Sequence, residues 1–157
     1  MEYGFDRFIS RARLRFNLNL MLNESASALL AASGISFLIA LAYVSAGRRA
    51  DVAVVMLSLI PAGIFFIAGI LRKWRSQSDA AQEADRIFAG KDSLSSSMFF
   101  ESVERQSAFH RLQLENTEKL CGGFNIGQIR FNVPLRRFAL LLVMCLLTFI
   151  LMRFDES

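Results

Sequence analysis

Long uninterrupted apolar runs dominate the hydropathy pattern of the chain. The first covers residues 26–46 and the second residues 52–71, and neither contains a charged side chain. Since a helix rises about 1.5 Å per residue, a run of about 21 residues spans ~31 Å, close to the ~30 Å hydrocarbon layer of a bilayer. The pattern therefore predicts two transmembrane helices that form a tight hairpin within residues 25–71, with a kink at Pro61.

A third apolar run, residues 138–152, is shorter and is bounded by arginines on both sides. About 15 residues make roughly 22 Å of helix, which falls below the usual minimum of about 17 residues for a span. Arginine side chains can reach the headgroup region, which lengthens the stretch that a membrane accepts. We therefore predict a short third transmembrane helix over residues 137–154 and an external tail at 155–157. A buried or re-entrant helix is the alternative.

Basic residues near the ends of the apolar runs predict the orientation of the chain. Lys and Arg are concentrated in residues 1–24 and 72–136, whereas the link between the first two runs and the carboxyl-terminal end hold few. Because such residues stay on the cytoplasmic side, we expect residues 1–24 and 72–136 in the cytoplasm and the carboxyl terminus outside, as in a bacterial inner membrane. The basic side chains expected at the lipid interface are Arg7, Arg11, Arg13, Arg15, Arg72, Lys73, Arg75, Arg136 and Arg137.

Residues 1–24 place apolar and basic side chains at helical spacing. The apolar positions are Phe5, Phe8, Ile9, Ala12, Phe16 and Leu20. Apolar residues on one face with arginines on another are typical of a helix that lies in the membrane interface. A helix packed against the middle segment fits the same pattern equally well, and an edge strand over residues 13–20 fits less well. Asn23, Glu24 and Ser25 are candidate N-caps for the first transmembrane helix.

The polar middle segment, residues 72–136, predicts two or three short amphipathic cytoplasmic helices. Residues 90–93 predict a break followed by a new N-cap, and residues 121–123 predict a helix end with a left-handed glycine. Pro134 suits the first turn of the third transmembrane helix. The apolar positions that we expect to be buried or to dock a partner are Ala84, Phe88, Phe99, Val103, Phe109 and Leu112.

Composition supports a membrane protein. Apolar residues make up 54% of the 157 residues, and the net charge is +4. Soluble domains carry about 45–50% apolar residues even with glycine included. Since many arginines flank apolar runs, a lipid membrane explains the basic balance better than nucleic acid does. We therefore expect lipid contacts and no nucleic-acid partner.

Residues with catalytic or metal-binding potential are few and scattered. Cys121 and Cys145 have neither metal-ligand nor redox spacing and are expected to be unpaired thiols. His110 is the single histidine. It could form an acid–base pair with Glu104 or Glu115, although a lone histidine on a helix is far more often structural. The apolar runs hold no Asp, Glu, Lys, Arg or His, which disfavours a transporter. We expect neither an enzyme nor a cofactor.

Small residues recur at every fourth position of the first apolar run. They are Ala28, Ala32, Ser36 and Ala40. Such a row lets two helices approach closely in a membrane. It predicts packing against the second apolar run or against a partner, although the ordinary use of small residues in a span would produce the same row.

Three stretches of the chain resemble a bacterial protein family: AAQEADRIFAGKDSLSSSMFFE, SAFHRLQLENTEKL and FNVPLRRFALLL. The family consists of uncharacterised three-span membrane proteins whose genes often accompany MoxR-type AAA+ ATPases and von Willebrand A-domain proteins. The positions that carry the likeness are Ala80, Ala81, Asp85, Asp92, Leu94, Ser97, Glu101, Phe109, Leu112 and Gln113.

The resemblance implies an arginine-rich amino terminus, two close spans, a helical segment, a third span and a large external region. This chain stops just after the third apolar run. It is therefore expected to be a standalone subunit or a truncated copy whose function lies in the missing external region. The family has no assigned catalytic residues, so the resemblance implies none here.

Together these features predict an all-α, non-enzymatic integral membrane subunit. Its spans anchor it, and its cytoplasmic helices dock a partner, either a second copy or an ATPase-linked envelope complex. A holin-like or small-pore protein is the second hypothesis, because a short chain with three spans suits one.

Overall fold

Every regular element that the structure describes is helical. The structure is a computed structural model, and it describes residues 4–48, 52–103 and 107–154. Its helices are α1 (Gly4–Ser45), α2 (Val52–Met56), α3 (Leu59–Lys73), α4 (Gln77–Phe88), α5 (Ser93–Glu101), α6 (Ala108–Cys121) and α7 (Leu135–Phe154), with a 3-10 turn at Ile126–Gln128. The predicted all-α class is confirmed for these residues. The predicted tail at 155–157 lies outside them, as does most of the link between the first two apolar runs.

The chain divides into two compact units. Unit 1 comprises the described residues of Met1–Asn19 and of Trp74–Phe131, and unit 2 comprises those of Leu20–Lys73 and of Asn132–Ser157. The predicted cytoplasmic segments fall largely in unit 1, and the three apolar runs fall in unit 2.

Helix α1 runs without a break through the boundary that the sequence predicted near residue 24. It contains no proline, and its one internal glycine, Gly34, lies well beyond that boundary. The Ser25 hydroxyl donates to Leu22 O at 3.0 Å and the Ser27 hydroxyl donates to Asn23 O at 2.8 Å. These serines therefore bond within the helix instead of capping its start. The prediction of an N-cap at residues 23–25 is wrong, and so is the edge strand.

The second apolar run is not one long helix. α2 ends at Met56 and α3 begins at Leu59, with a turn between them. Pro61 lies in the first turn of α3 and has no N–H to donate to the carbonyl of Leu57, and its ring crowds that carbonyl. A regular helix therefore cannot run from α2 through Leu57 into α3. Leu57 O instead accepts from Ile60 N at 3.2 Å. In the described part of the chain two helices, α1 and α7, are long and apolar enough to cross a membrane. The prediction of three such helices is therefore wrong.

The third apolar run forms a longer helix than its own length suggested. α7 has 20 residues because it extends the run at both ends, and at about 1.5 Å per residue it reaches ~30 Å. Pro134 precedes it directly, and its carbonyl accepts from Arg137 N at 2.9 Å and from Phe138 N at 3.2 Å. Pro134 is thus the N-cap residue of α7. It lies one position before the first turn, in which it was predicted.

Unit 1 is built around the aromatic face of the first turns of α1. Its buried core consists of Phe5, Phe8, Ile9, Ala12, Phe16, Ala80, Ala81, Ala84, Leu94, Leu114 and Ile129. The Phe8 ring meets Phe88 edge-on at a centroid distance of 5.4 Å and lies 5.7 Å from the Phe124 ring. The apolar face of residues 1–24 is therefore buried against the middle segment, which was one of the two predicted arrangements, and is not left for lipid.

The ends of α4 and the start of α5 are defined by capping interactions. α4 begins with a capping box between Ser76 and Asp79 and ends at Ala89, which is left-handed with φ 52°. α5 begins after Asp92, which confirms the predicted break, but the Asp92 side chain makes no cap bond. Asp85 of α4 caps α5 instead: its carboxylate accepts from Leu94 N at 3.0 Å and from Ser95 N at 2.9 Å. It also complements the positive end of the helix dipole.

Gly90 makes room for this cap. A Cβ at that position would lie 2.5 Å from Asp85 Oδ1 and 3.5 Å from Asp85 Cα. The amide of Gly90 also donates to Asp85 O at 2.8 Å. The turn therefore depends on a glycine here because of close approach.

The start and the end of α6 are closed by local bonds. Ser107 forms a capping box in which His110 Nδ1 accepts from Ser107 N at 3.4 Å.

A buried contact joins α6 to α5. Ser97 of α5 donates to Thr117 Oγ1 at 2.7 Å, and both side chains are fully buried. At the far end Gly122 has φ −60°, so the predicted left-handed glycine cap is wrong. Gly122 keeps a right-handed conformation, and its N–H donates to Glu118 O at 3.2 Å. The helix therefore ends without a left-handed residue.

The cap from Asp85 predicts an asymmetric effect of two matched substitutions. Asp85→Asn removes the charge and one acceptor from the start of α5 and should destabilise the protein by about 1–2 kcal/mol, which is about 2–8 °C in the thermal midpoint. Asp92→Asn should shift the midpoint by less than about 2 °C, because Asn tolerates the left-handed conformation and no cap bond is lost. Circular dichroism melts of both variants measure this. Equal shifts would contradict the assignment of the cap to Asp85.

Candidate functional site

The predicted row of small residues faces protein within unit 2. Ala28, Ala32 and Ala40 are buried, and the Ser36 hydroxyl lies 2.7 Å from the Ser58 hydroxyl. Ser58 belongs to the turn between α2 and α3. The row therefore contacts the second apolar run at Ser36, and its three alanines are covered by protein, as expected for small residues in a helix packing face.

One end of unit 2 is held by polar contacts. Lys73 at the end of α3 pairs with Glu24 of α1 at 2.6 Å, and the Glu24 side chain is 11% exposed. A Cβ at Gly69, one turn before Lys73, would lie 2.6 Å from Glu24 Oε2. Arg137 of α7 donates to Asn23 O at 3.2 Å and to Ser27 Oγ at 2.7 Å. Both α3 and α7 are thus tied to α1 next to the predicted interface residues.

The outward faces of the unit 2 helices are apolar. On the second apolar run Leu57, Ile60, Ile64, Ile67 and Leu71 are between 58% and 76% exposed. Leu57 lies in the turn before α3, and the other four recur along α3 at spacings of three and four residues, which places them on one helical face. The outward side chains of α7 are Leu135, Leu140, Leu142, Val143, Leu146 and Phe149, each at least 50% exposed. Unit 2 therefore presents apolar surface away from its own interior.

The predicted lipid-facing basic residues divide into two groups. Arg13, Arg15 and Arg75 are half-buried and bonded inside unit 1. Arg15 Nη1 donates to Ile126 O at 2.6 Å, and Arg13 Nε donates to Arg75 O at 3.2 Å. The Arg75 guanidinium lies 4.9 Å from the centre of the Phe16 ring. The exposed members are Arg7, Arg11, Arg72, Lys73, Arg136 and Arg137.

The predicted docking stripe also divides. Ala84 is fully buried in the core of unit 1, Phe88 packs against that core, and Val103 is half-buried. Phe99 and Phe109 are each 66% exposed, and Leu112 is 60% exposed. The structure therefore separates the positions that fill the core from those that reach the surface.

Two side chains that the sequence reading missed join the exposed positions. The Phe100 ring stacks on His110 with centroids 4.6 Å apart and lies 5.9 Å from Phe99. Phe109 meets Phe100 edge-on at 6.3 Å. We call this group the aromatic surface; its members are Phe99, Phe100, Phe109, His110 and Leu112. Its signal in the sequence was the pair of adjacent phenylalanines at 99–100 followed by another ring pair at 109–110.

The positions on which the expectation of a family likeness was based largely build the packing of unit 1. Ala80, Ala81, Leu94 and Ser97 have no exposed surface. Asp85 is 3% exposed and caps α5. These residues therefore have structural roles, and among the positions of the resemblance Phe109 and Leu112 belong to the aromatic surface.

The thiols and acidic groups form no metal centre in the described ranges, where no group of three His, Cys, Asp or Glu side chains converges. Cys121 and Cys145 are free thiols, as predicted. Burial raises the pKa of Cys121 to about 11, with further contributions from Asp85 and Glu118. The thiol is therefore protonated and unreactive at neutral pH.

Comparison of the chain with protein-family models, with curated proteins and with solved structures finds no match.

A pair of carboxyl groups, Asp6 of α1 and Glu101 at the end of α5, shares a hydrogen bond in unit 1. Glu101, at the end of α5, has a pKa raised above its ordinary value of about 4.5, first by burial and then by the charge of Asp6 and a hydrogen bond with it. The folded protein therefore holds this proton more tightly than the unfolded chain does. The stability that the proton contributes is present below about pH 4.5 and is lost as the pH rises through the raised pKa.

This pair predicts a pH-dependent difference between two conservative variants. The thermal midpoint of the natural protein should fall, relative to that of Glu101→Gln, as the pH rises above about 4.5. Glu115→Gln, at an exposed position of α6, should follow the natural protein. The lowered pKa of Asp79, which accepts bonds from Ser76, acts in the opposite direction but is common to all three chains. Circular dichroism melts across this range measure the difference, and parallel curves for all three would refute it.

Proposed function

We propose that this chain is a non-catalytic, multi-pass membrane protein whose unit 2 lies in the bilayer and whose unit 1 docks a partner protein through the aromatic surface. The observation that carries the membrane part is the apolar outward face of unit 2. The core helix of a soluble protein is mostly buried, whereas 22% of the most apolar stretch of α1 and 6% of that of α7 are buried. Their side chains therefore need an apolar environment that the chain itself does not supply.

Transfer free energies of the exposed side chains favour lipid over water around unit 2. Removing a large aliphatic or aromatic side chain from water contributes about 1.5–3 kcal/mol. For the exposed leucines, isoleucines and phenylalanines of unit 2 together, this amounts to on the order of tens of kcal/mol. The turn between α2 and α3 is compatible with lipid because Leu57 O has a partner in Ile60 N and the Ser58 side chain is buried. We therefore include α2 and α3 in the membrane layer as a broken helix.

The charges support one orientation. Arg72, Lys73, Arg136 and Arg137 cluster where α3 ends and α7 begins, whereas the other end of α7 carries Arg153. Positively charged residues are retained on the cytoplasmic side. We propose that unit 1 and the amino terminus are cytoplasmic, in a bacterial inner membrane.

Cysteine labelling in intact cells tests this arrangement. With Cys121 and Cys145 replaced by Ser, a cysteine introduced at exposed Lys91 should resist a membrane-impermeant maleimide until the cells are opened. A cysteine introduced at exposed Arg48 should react in intact cells. The protein should also remain in the pellet after alkaline carbonate extraction. Labelling of position 91 in intact cells would refute the orientation, and a carbonate-soluble, monodisperse protein would refute the membrane assignment.

The docking part rests on the exposure of the aromatic surface. Rings that are two-thirds exposed are costly to leave in water and are enriched at protein–protein contacts. The resemblance of this segment to proteins encoded beside MoxR-type ATPases supports an ATPase-linked envelope complex as the partner, with a second copy of the chain as the other case.

Substitution of two exposed rings tests docking without disturbing the core. Phe99→Ser combined with Phe109→Ser should leave the thermal midpoint nearly unchanged and should abolish co-purification of the partner from native membranes. Leu120→Ser provides the control, since it removes another exposed apolar side chain of α6 that lies outside the aromatic surface. Retention of the same partner by the double variant would argue against docking at this surface.

A further inference from the structure

Two helices of unit 2 bring basic residues to the same level along α1. Lys73, the last residue of α3, reaches Glu24 of α1 at 2.6 Å. Arg137, in the first turn of α7, donates to Asn23 O at 3.2 Å and to Ser27 Oγ at 2.7 Å. The end of α3 and the start of α7 therefore meet α1 within a single turn of that helix.

The residues next to Lys73 and Arg137 point away from α1. Successive residues of a helix are about 100° apart around its axis. Since Lys73 and Arg137 are directed at α1, Arg72 and Arg136 are turned outward, and both are exposed. Neither has an ion-pair partner among the described residues. Both guanidinium groups therefore face the surroundings of unit 2.

This end of unit 2 carries an excess of positive charge. Its basic patch consists of Arg72, Lys73, Arg136 and Arg137, and Glu24 is the one acidic residue of unit 2 within the described ranges. Glu24 is paired with Lys73, and both acceptors of Arg137 are neutral. Three of the four positive charges therefore have no counter-charge in the described part of this unit.

Each outward arginine continues an exposed apolar stripe. Arg136, Leu140 and Val143 recur at spacings of four and three residues, which places them on one face of α7. At least half of each of the two aliphatic side chains is exposed. On α3, exposed Phe65 lies about two turns before Arg72 on the same face. An apolar stripe that ends in a guanidinium matches the apolar chains and charged phosphate of a phospholipid.

We propose that Arg72 and Arg136 bind the phosphate groups of anionic phospholipids, whose acyl chains pack along the two apolar stripes. Guanidinium groups bind phosphate oxygens with paired hydrogen bonds. A zwitterionic lipid carries its own positive charge beside the phosphate, so the excess charge of the basic patch favours a lipid with net negative charge. The proposal rests on the membrane placement of unit 2 proposed above and adds the class of lipid at its basic end.

Quenching of Trp74 fluorescence tests the proposal in the natural chain. Trp74 is the single tryptophan, it directly follows Lys73, and it is exposed. The protein is reconstituted into vesicles of equal parts phosphatidylcholine and phosphatidylglycerol, with bromine on the acyl chains of one lipid or of the other. Brominated phosphatidylglycerol should quench Trp74 more strongly, as expected for about fivefold tighter association. Flotation of the vesicles shows separately whether the protein is in the membrane.

Two matched double variants identify the residues responsible. Arg72→Gln combined with Arg136→Gln should reduce the preference for phosphatidylglycerol to less than about twofold, because both outward guanidinium groups are lost. Arg48→Gln combined with Arg153→Gln removes the same charge from the opposite end of unit 2, beyond the end of α1 and at the end of α7. This control should keep the preference of the natural chain, and helical content by circular dichroism should be equal in all variants.

The outcomes separate the lipid preference from the membrane placement. If the natural protein floats with the vesicles but both brominated lipids quench Trp74 equally, the lipid preference is overturned and the membrane placement stands. Equal losses of preference in the two double variants would overturn the assignment to Arg72 and Arg136. A protein that does not float contradicts the membrane placement, and the lipid preference falls with it.

Discussion

Side-chain size along α1 decides what each part of this helix can pack against. Its first turns carry phenylalanines that fill the core of unit 1, where Phe8 meets Phe88 and Phe124. Farther along, alanines and serines take the inward positions, and the Ser36 and Ser58 hydroxyls come within 2.7 Å of each other. Large rings build a core by filling volume, whereas small residues do so by letting backbones approach. Both units therefore depend on the same helix for different physical reasons.

Short polar contacts then define how the smaller helices of unit 1 meet. Asp85 caps α5 from α4, and Ser97 and Thr117 join α5 to α6 through buried hydroxyls. A buried polar group is costly unless it is bonded, so each contact permits few alternative registers. This explains why much of the middle segment encodes packing, and why the exposed rings are the apolar positions that stay at its surface.

The basic residues of the chain serve more than one purpose. Arg15 and Arg75 hold unit 1 together through carbonyl and ring contacts. Lys73 neutralises Glu24 in unit 2, while Arg7 and Arg11 line a groove. Net charge alone would have assigned all of them to the lipid surface. Their different surroundings are what divide them into half-buried residues bonded within the protein and residues with exposed side chains.

Local pattern alone determined the helical class, the apolar runs and the break between α4 and α5, because periodicity, proline and capping residues act within a few positions. The tertiary structure decided the rest. Whether the face of α1 that carries Phe5 and Phe16 meets lipid or protein depends on segments far along the chain. Either environment favours apolar side chains at the same helical spacing. Asp85 replaced Asp92 as the cap because its carboxylate reaches the start of α5 from the neighbouring helix. Likewise, only the tertiary packing shows that Ala84 and Phe88 belong to the core whereas Phe99 and Phe109 are exposed. An apolar stripe in the sequence shows that a side chain is apolar, but not which surface covers it.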